Sequence, residues 1–167
     1  MSTITPTATT TAAIRHRVGI DAEPAAVYAR LATEDGLRRW WTHDVRGRSA
    51  VGEQLSFHFG APDRSCAMEV GELTPDQRVV WRCVDGPQEW IGTRFIFEIR
   101  PADDSTGAER HDGETVLLFT NDGWREPVEF MHHCTTKWAS YLIGLKQDVE
   151  VDGGRPYPND VKLSGWD

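Results

Sequence analysis

The sequence predicts an α+β fold in which a curved antiparallel sheet wraps around one long C-terminal helix, and three observations predict it. First, Pro127 to Val149 carry a helical stripe. At about 3.6 residues per turn Phe130, Cys134, Trp138, Tyr141, Leu142, Leu145 and Val149 fall within one broad sector, with Met131 at its margin. Second, from Gly52 onward apolar residues recur at every other position, the period of a half-buried strand. Third, the turn signals at Gly60 to Asp63, Thr74 to Asp76 and Asp85 to Pro87 stand too close together for intervening helices, which argues against a parallel sheet. A helix with this much aromatic and sulfur-bearing bulk on one side must lie on a concave apolar surface.

In chain order, Met1 to Ala13 are rich in Thr and Ala with little to pack, and read as a disordered tail. The domain is expected over 14–152. Ile14, His16, Val18 and Ile20 alternate with Arg15, Arg17 and Gly19 as a first strand. Asp21, Glu23 and Pro24 then open a short helix with Val27, Tyr28 and Leu31 on its stripe, running to about Thr33. Glu34 to Trp41 is a second brief helix ending in the Trp40-Trp41 pair. Leu55, Phe57 and Phe59, then Cys66, Met68 and Val70, then Val79, Trp81 and Cys83, mark the inward faces of a meander. Thr93, Phe95, Phe97 and Ile99 continue it. A polar loop runs from Asp103 to Gly113, Thr115 to Thr120 is a last strand, and Asn121-Asp122-Gly123 reads as the turn that closes it. Glu126, Pro127 and Glu129 suit the start of the long helix, and Gly153-Gly154 its stop. Residues 153–167, with Pro156 and Pro158, form a C-terminal extension too short for a second domain.

A length of 167 residues bounds the chain to one domain with a core of useful size. A formal net charge of -8 repels phosphate backbones and anionic lipid, so neither nucleic acid nor a membrane is an expected partner. The three cysteines, Cys66, Cys83 and Cys134, are odd in number and lie inside apolar periodic segments, as reduced core thiols do. No secretory signal and no membrane-length apolar run is visible, so a cytoplasmic location is the default.

Strand, two short helices, a run of strands and a long helix is the helix-grip order. At this point the chain resembles the START-like (SRPBCC) superfamily. Ile20-Asp21-Ala22-Glu23-Pro24-Ala25-Ala26-Val27-Tyr28 resembles that family's first strand-to-helix junction. Leu37 to Trp41 and Asp122-Gly123-Trp124 resemble the branch typified by the C-terminal domain of the activator of the heat-shock protein ninety ATPase, which also gathers polyketide cyclase-like proteins. The resemblance spans roughly Ile14 to Val151 and implies a Bet v 1-like fold. Because the superfamily includes carriers, cyclases and co-chaperones, activity has to be argued from the cavity.

The expected ligand-binding residues are Trp40, Trp41, Phe57, Phe59, Met68, Trp81, Phe95, Phe97, Phe130, Cys134, Trp138 and Tyr141. They make an almost wholly apolar interior suited to a small hydrophobic or aromatic molecule, or else a solid core; the resemblance favours a pocket. Tyr141 is the preferred polar contact, and Trp40 and Trp41 are rim candidates. His132, His133 and Cys134 point about 100° apart along a helix, so they cannot share an ion, and both histidines fall toward solvent. Glu69, Arg82, Arg94 and Glu98 read as a salt-bridge ladder on the outer strand face. No metal and no cofactor is expected, and no catalytic residue is assigned. Two alternatives stay open: a cyclase- or dehydratase-type enzyme using the same cavity, and a stress-related chaperone-modulating interaction module. A homodimer is also possible, with Trp90 and Trp124 as exposed aromatics at its seam.

Overall fold

The computed structural model describes residues 12–102 and 113–167. The first eleven residues of the expected tail and positions 103–112 of the expected polar loop lie outside the described residues. The element order is β1 (Ala12–Asp21), α1 (Pro24–Ala32), α2 (Glu34–Arg38), β2 (Asp44–Gly47), β3 (Gln54–His58), β4 (Ser65–Thr74), β5 (Arg78–Asp85), β6 (Arg94–Pro101), β7 (Glu114–Trp124) and α3 (Glu129–Val151). Among the described residues the strands form one antiparallel sheet in the order β1-β7-β6-β5-β4-β3-β2, which brings the first strand beside the last. This is the helix-grip α+β architecture that the alternation and the long stripe predict.

Side-chain chemistry explains where the boundaries move. The polar run Asn121-Asp122-Gly123 does not close β7; it continues it to Trp124. The Asp122 carboxylate accepts two N–H bonds from Arg94 on β6, at 2.9 and 2.6 Å. Asn121 donates to the Arg94 carbonyl at 2.9 Å and accepts the Trp124 indole N–H at 2.7 Å. These polar groups are consumed across the sheet, and they carry Trp124 into the core, where it cannot serve an exposed seam. Strand β2 escapes the alternation because Val45 is its one buried side chain, while Asp44 and Arg46 pair with each other at the sheet edge.

Helix α3 ends on Asp152, which adopts the left-handed conformation at φ 53° ahead of the two glycines. Gly154 has a different use. A Cβ there would stand 2.2 Å from the Arg39 carbonyl oxygen, so only glycine lets the chain pass that close to the end of α2.

The inner faces of β3 to β7 meet α3 in a continuous aromatic core. Trp41 stacks on Trp81 with ring centres 5.8 Å apart and planes 3° from parallel, and touches Phe57 at 4.1 Å. Trp138 from α3 stacks on Phe119 at 4.7 Å and contacts Phe95 at 5.4 Å. Each such ring, fully buried, contributes on the order of 1.5–3 kcal/mol before specific geometry is counted. The outer face carries the ion pairs Arg78–Glu98 at 2.8 Å and Arg82–Glu69 at 3.5 Å, the expected ladder with Arg78 as one rung.

Candidate functional site

The first three turns of α3 border an open space as well as the sheet. Phe130, His133, Cys134, Lys137, Trp138 and Tyr141 look into a cavity of about 580 Å³. Its opposite wall comes from Phe59, Ser65 and Cys66 around the β3–β4 turn and from Gly86, Pro87 and Trp90 between β5 and β6. The extension after α3 makes the roof. Tyr157 joins the body by main-chain bonds, accepting from His43 at 3.2 Å and donating to the Trp41 carbonyl at 2.9 Å. Its ring meets Phe59 edge-on at 5.6 Å. Farther along, Trp166 meets Phe130 edge-on at 5.8 Å, and Ser164 Oγ lies 3.1 Å from His133 Nδ1.

A charged cluster holds this roof. The Lys137 ammonium contacts Asp160 at 2.8 Å and Asp167 at 2.5 Å, and donates to the Val161 carbonyl at 2.7 Å. Lys162 adds a bond to Asp160 at 2.9 Å, and the Tyr141 hydroxyl donates to the same carboxylate at 2.9 Å. Burial acts to raise the Asp160 carboxyl, but the hydrogen bonds from Lys137, Lys162 and Tyr141 outweigh it and hold it below its ordinary value. For Asp167 burial is likewise outweighed, by Lys137 and the main-chain N–H groups of Ser164 and Leu163, and its pKa falls to about 2. Burial and the neighbouring Asp160 charge push the Tyr141 phenol well up, so it keeps its proton and serves as a donor. Burial drives the Cys134 thiol up to about 12. The His133 imidazole is lowered, chiefly by burial, with Lys137 acting in the same direction and Asp167 against it.

The structure divides the residues expected around a ligand into two groups. Trp41, Phe59, Phe130, Cys134, Trp138 and Tyr141 line the cavity. Trp40, Phe57, Met68, Trp81, Phe95 and Phe97 do not; each is fully buried in the packed core. Trp40 is no rim residue, because its indole N–H is bonded to the Arg30 carbonyl at 2.8 Å and its ring meets Phe97 edge-on at 6.4 Å. His132 does face outward, whereas His133 is half-buried in the cavity wall, stacked on Phe130 at 5.9 Å and roofed by the extension.

Lys137, Asp160, Asp167, Tyr157 and Trp166 were outside the sequence expectation. Lys137 stands between the stripe positions Cys134 and Trp138, one helical turn before Tyr141, so its closeness to the stripe was visible in the spacing. Its acidic partners were not, because they come from a segment without periodicity.

No family model matches the sequence, and no curated protein matches it either. Among solved structures, the chain is similar to the Aha1 dimer from Colwellia psychrerythraea, determined in solution, with 35% identity and a TM-score of 0.74 over 86% of this chain and 99% of that one. CalU16 from Micromonospora echinospora shares the fold at 15% identity and a TM-score of 0.59, over 84% of this chain and 77% of that one. A protein of Staphylococcus saprophyticus does so at 12% identity and 0.66, over 86% and 95%. The chain belongs to the Aha1-like branch of the START-like superfamily.

Proposed function

We propose, from that membership and the geometry of the cavity, that the protein reversibly binds a small aromatic or hydrophobic molecule between the sheet and the first turns of α3. The single observation that carries this is the cavity itself, whose volume of about 580 Å³ falls within the usual range for small-molecule sites. The proposed contacts are Trp41, Phe59, Phe130, Cys134, Trp138 and Tyr141, with Trp90 facing them. The binding unit is the domain over 14–152, with residues 153–167 as its cover. Flat apolar walls supply the affinity, and the Tyr141–Asp160–Lys137 cluster supplies the few polar groups that orient a ligand.

The cyclase-type alternative needs a proton-transfer group poised near neutrality. Tyr141 is committed to Asp160 and keeps its proton, so that alternative would rest instead on the half-buried His133 imidazole in the cavity wall. A homodimer belongs to the proposal, since the Colwellia protein is described as a dimer. A cytoplasmic setting suits three buried free thiols, and among the described residues no helix is long and apolar enough to cross a membrane.

Native mass spectrometry of protein purified without added ligand, followed by titration with 1-naphthalenemethanol, tests the reading. Binding that is weakened about tenfold by Trp90→Ala supports it. A protein whose melting temperature ignores a library of aromatic probes overturns it and favours an outer interaction surface instead.

A further inference from the structure

We propose that the cavity selects aromatic carboxylates, and that the extension occupies that anion site with a residue pair of its own, the Trp166 ring and the Asp167 carboxylate. The inference rests on the binding function proposed above and adds the ligand class and the means by which the site is kept closed.

The argument starts at Lys137. Its side chain is 12% exposed, and an ammonium so far from water needs an anionic partner. It has two, and they are held differently. Asp160, 2% exposed, is shared with Lys162 and Tyr141, so four groups from α3 and the extension are locked together. Asp167, 4% exposed, has Lys137 as its side-chain partner and otherwise accepts main-chain N–H groups of Leu163 and Ser164 within its own turn. The two lysines and two aspartates of the cluster cancel in formal charge. Withdrawing Asp167 leaves one positive charge in excess, beside the aromatic wall of Phe130 and Trp138. Arg64, which also lines the cavity, donates to the Asp167 carbonyl and so brings a third cation to this spot, while Asp63 and Asp85 stand elsewhere in the lining.

What fills this place has the form of an aromatic acid. Trp166 lays its ring edge on Phe130 at 5.8 Å and on His133 at 5.6 Å, and the neighbouring residue delivers a carboxylate to Lys137. The ring remains 52% exposed, so the pair covers the cavity without being built into the core. An incoming aromatic carboxylate conserves the ion pair and replaces one ring with another, whereas a neutral aromatic leaves Asp167 where it is.

Isothermal titration of the full chain with 1-naphthoate and with its neutral counterpart 1-naphthalenemethanol tests this. Naphthoate is expected to bind at least about tenfold more tightly than the alcohol. Asp167→Asn, which keeps the turn but removes the competing charge, raises naphthoate affinity by about another tenfold and changes the alcohol by less than about twofold. Lys137→Met brings naphthoate down to the alcohol. Since removing Lys137 leaves the buried Asp167 carboxylate without its side-chain cation and weakens the hold on Asp160, and can prevent folding, the Asp167→Asn comparison decides alone. If the alcohol binds but naphthoate is no tighter, or if Asp167→Asn leaves naphthoate unchanged, the carboxylate site is overturned while the cavity reading stands. If neither probe binds any variant, both fall.

Discussion

The two halves of α3 carry the same kind of apolar stripe and meet opposite fates. From Leu142 onward the helix lies against β1 and α1, and the space beneath is filled. From Phe130 to Tyr141 it spans a cavity closed by the extension. Each half also has a buried aspartate between two cations. Asp148, with its side chain 4% exposed, takes Arg30 Nε from α1 and Arg39 Nε from just after α2, at 2.5 and 2.9 Å. Asp160 takes Lys137 and Lys162. The first cluster fastens elements that already pack through Val27, Leu31 and Leu37, so it locks a core. The second fastens a short extension whose larger apolar side chains, Val161, Leu163 and Trp166, stay exposed, so it locks a cover. An aromatic stripe therefore becomes core or cavity wall according to how much buried surface the segment across from it supplies.

The largest effect that sharpens this contrast is expected at the filled end. Trp81→Ala removes a ring stacked on Trp41 and should cost about 3–5 kcal/mol of stability by urea unfolding, with a large fall in denaturation midpoint. A loss below about 1 kcal/mol would show that the packed end has slack and dissolve the distinction. Asp148→Asn comes next. It leaves two arginines facing a neutral amide, and because those arginines are partly exposed the expected loss is about 2 kcal/mol rather than the full cost of breaking a buried pair. Tyr141→Phe at the cavity end should cost only about 1 kcal/mol, since Asp160 retains Lys137 and Lys162. A cost equal to that of Asp148→Asn would mean the cover is as integral as the core.

The smallest effect is a pH dependence confined to the cover. Asp167 has a folded pKa of about 2, below its ordinary 3.8. A carboxyl depressed by folding contributes its stabilisation above the ordinary value and loses it as pH falls through the folded one. The amide resonances of Leu163 and Ser164, whose N–H groups donate to Asp167, should therefore hold steady above pH 4 and shift together as the pH drops toward about 2. Movement of those amides between pH 5 and 7 would remove Asp167 from the cluster.

Much of the sheet could be read directly from the letters, because Leu55, Phe57, Met68, Val70, Trp81 and Cys83 repeat at period two and each is buried as that period requires. The continuation of β7 through Asn121-Asp122-Gly123 could not, since residues that favour turns in isolation found Arg94 across the sheet and Trp124 along the strand as partners. The site was half legible. Trp138 and Tyr141 follow from the stripe, but a periodic pattern reports which face is turned inward and is silent on whether the interior is full. That is why Trp40, Phe57 and Phe97 read like Trp41 and Phe130 until their neighbours were in place.

By itself the sequence determined the fold, the inward face of every strand it located except the last, and the aromatic character of the space under α3, because these depend on spacing within one segment. Only the tertiary structure decided where that space closes and where it stays open. The cause is that Lys137, Asp160 and Asp167 act through contacts between α3 and a segment without periodicity, and the energy of a buried charge depends on which partners surround it rather than on where it stands in the chain.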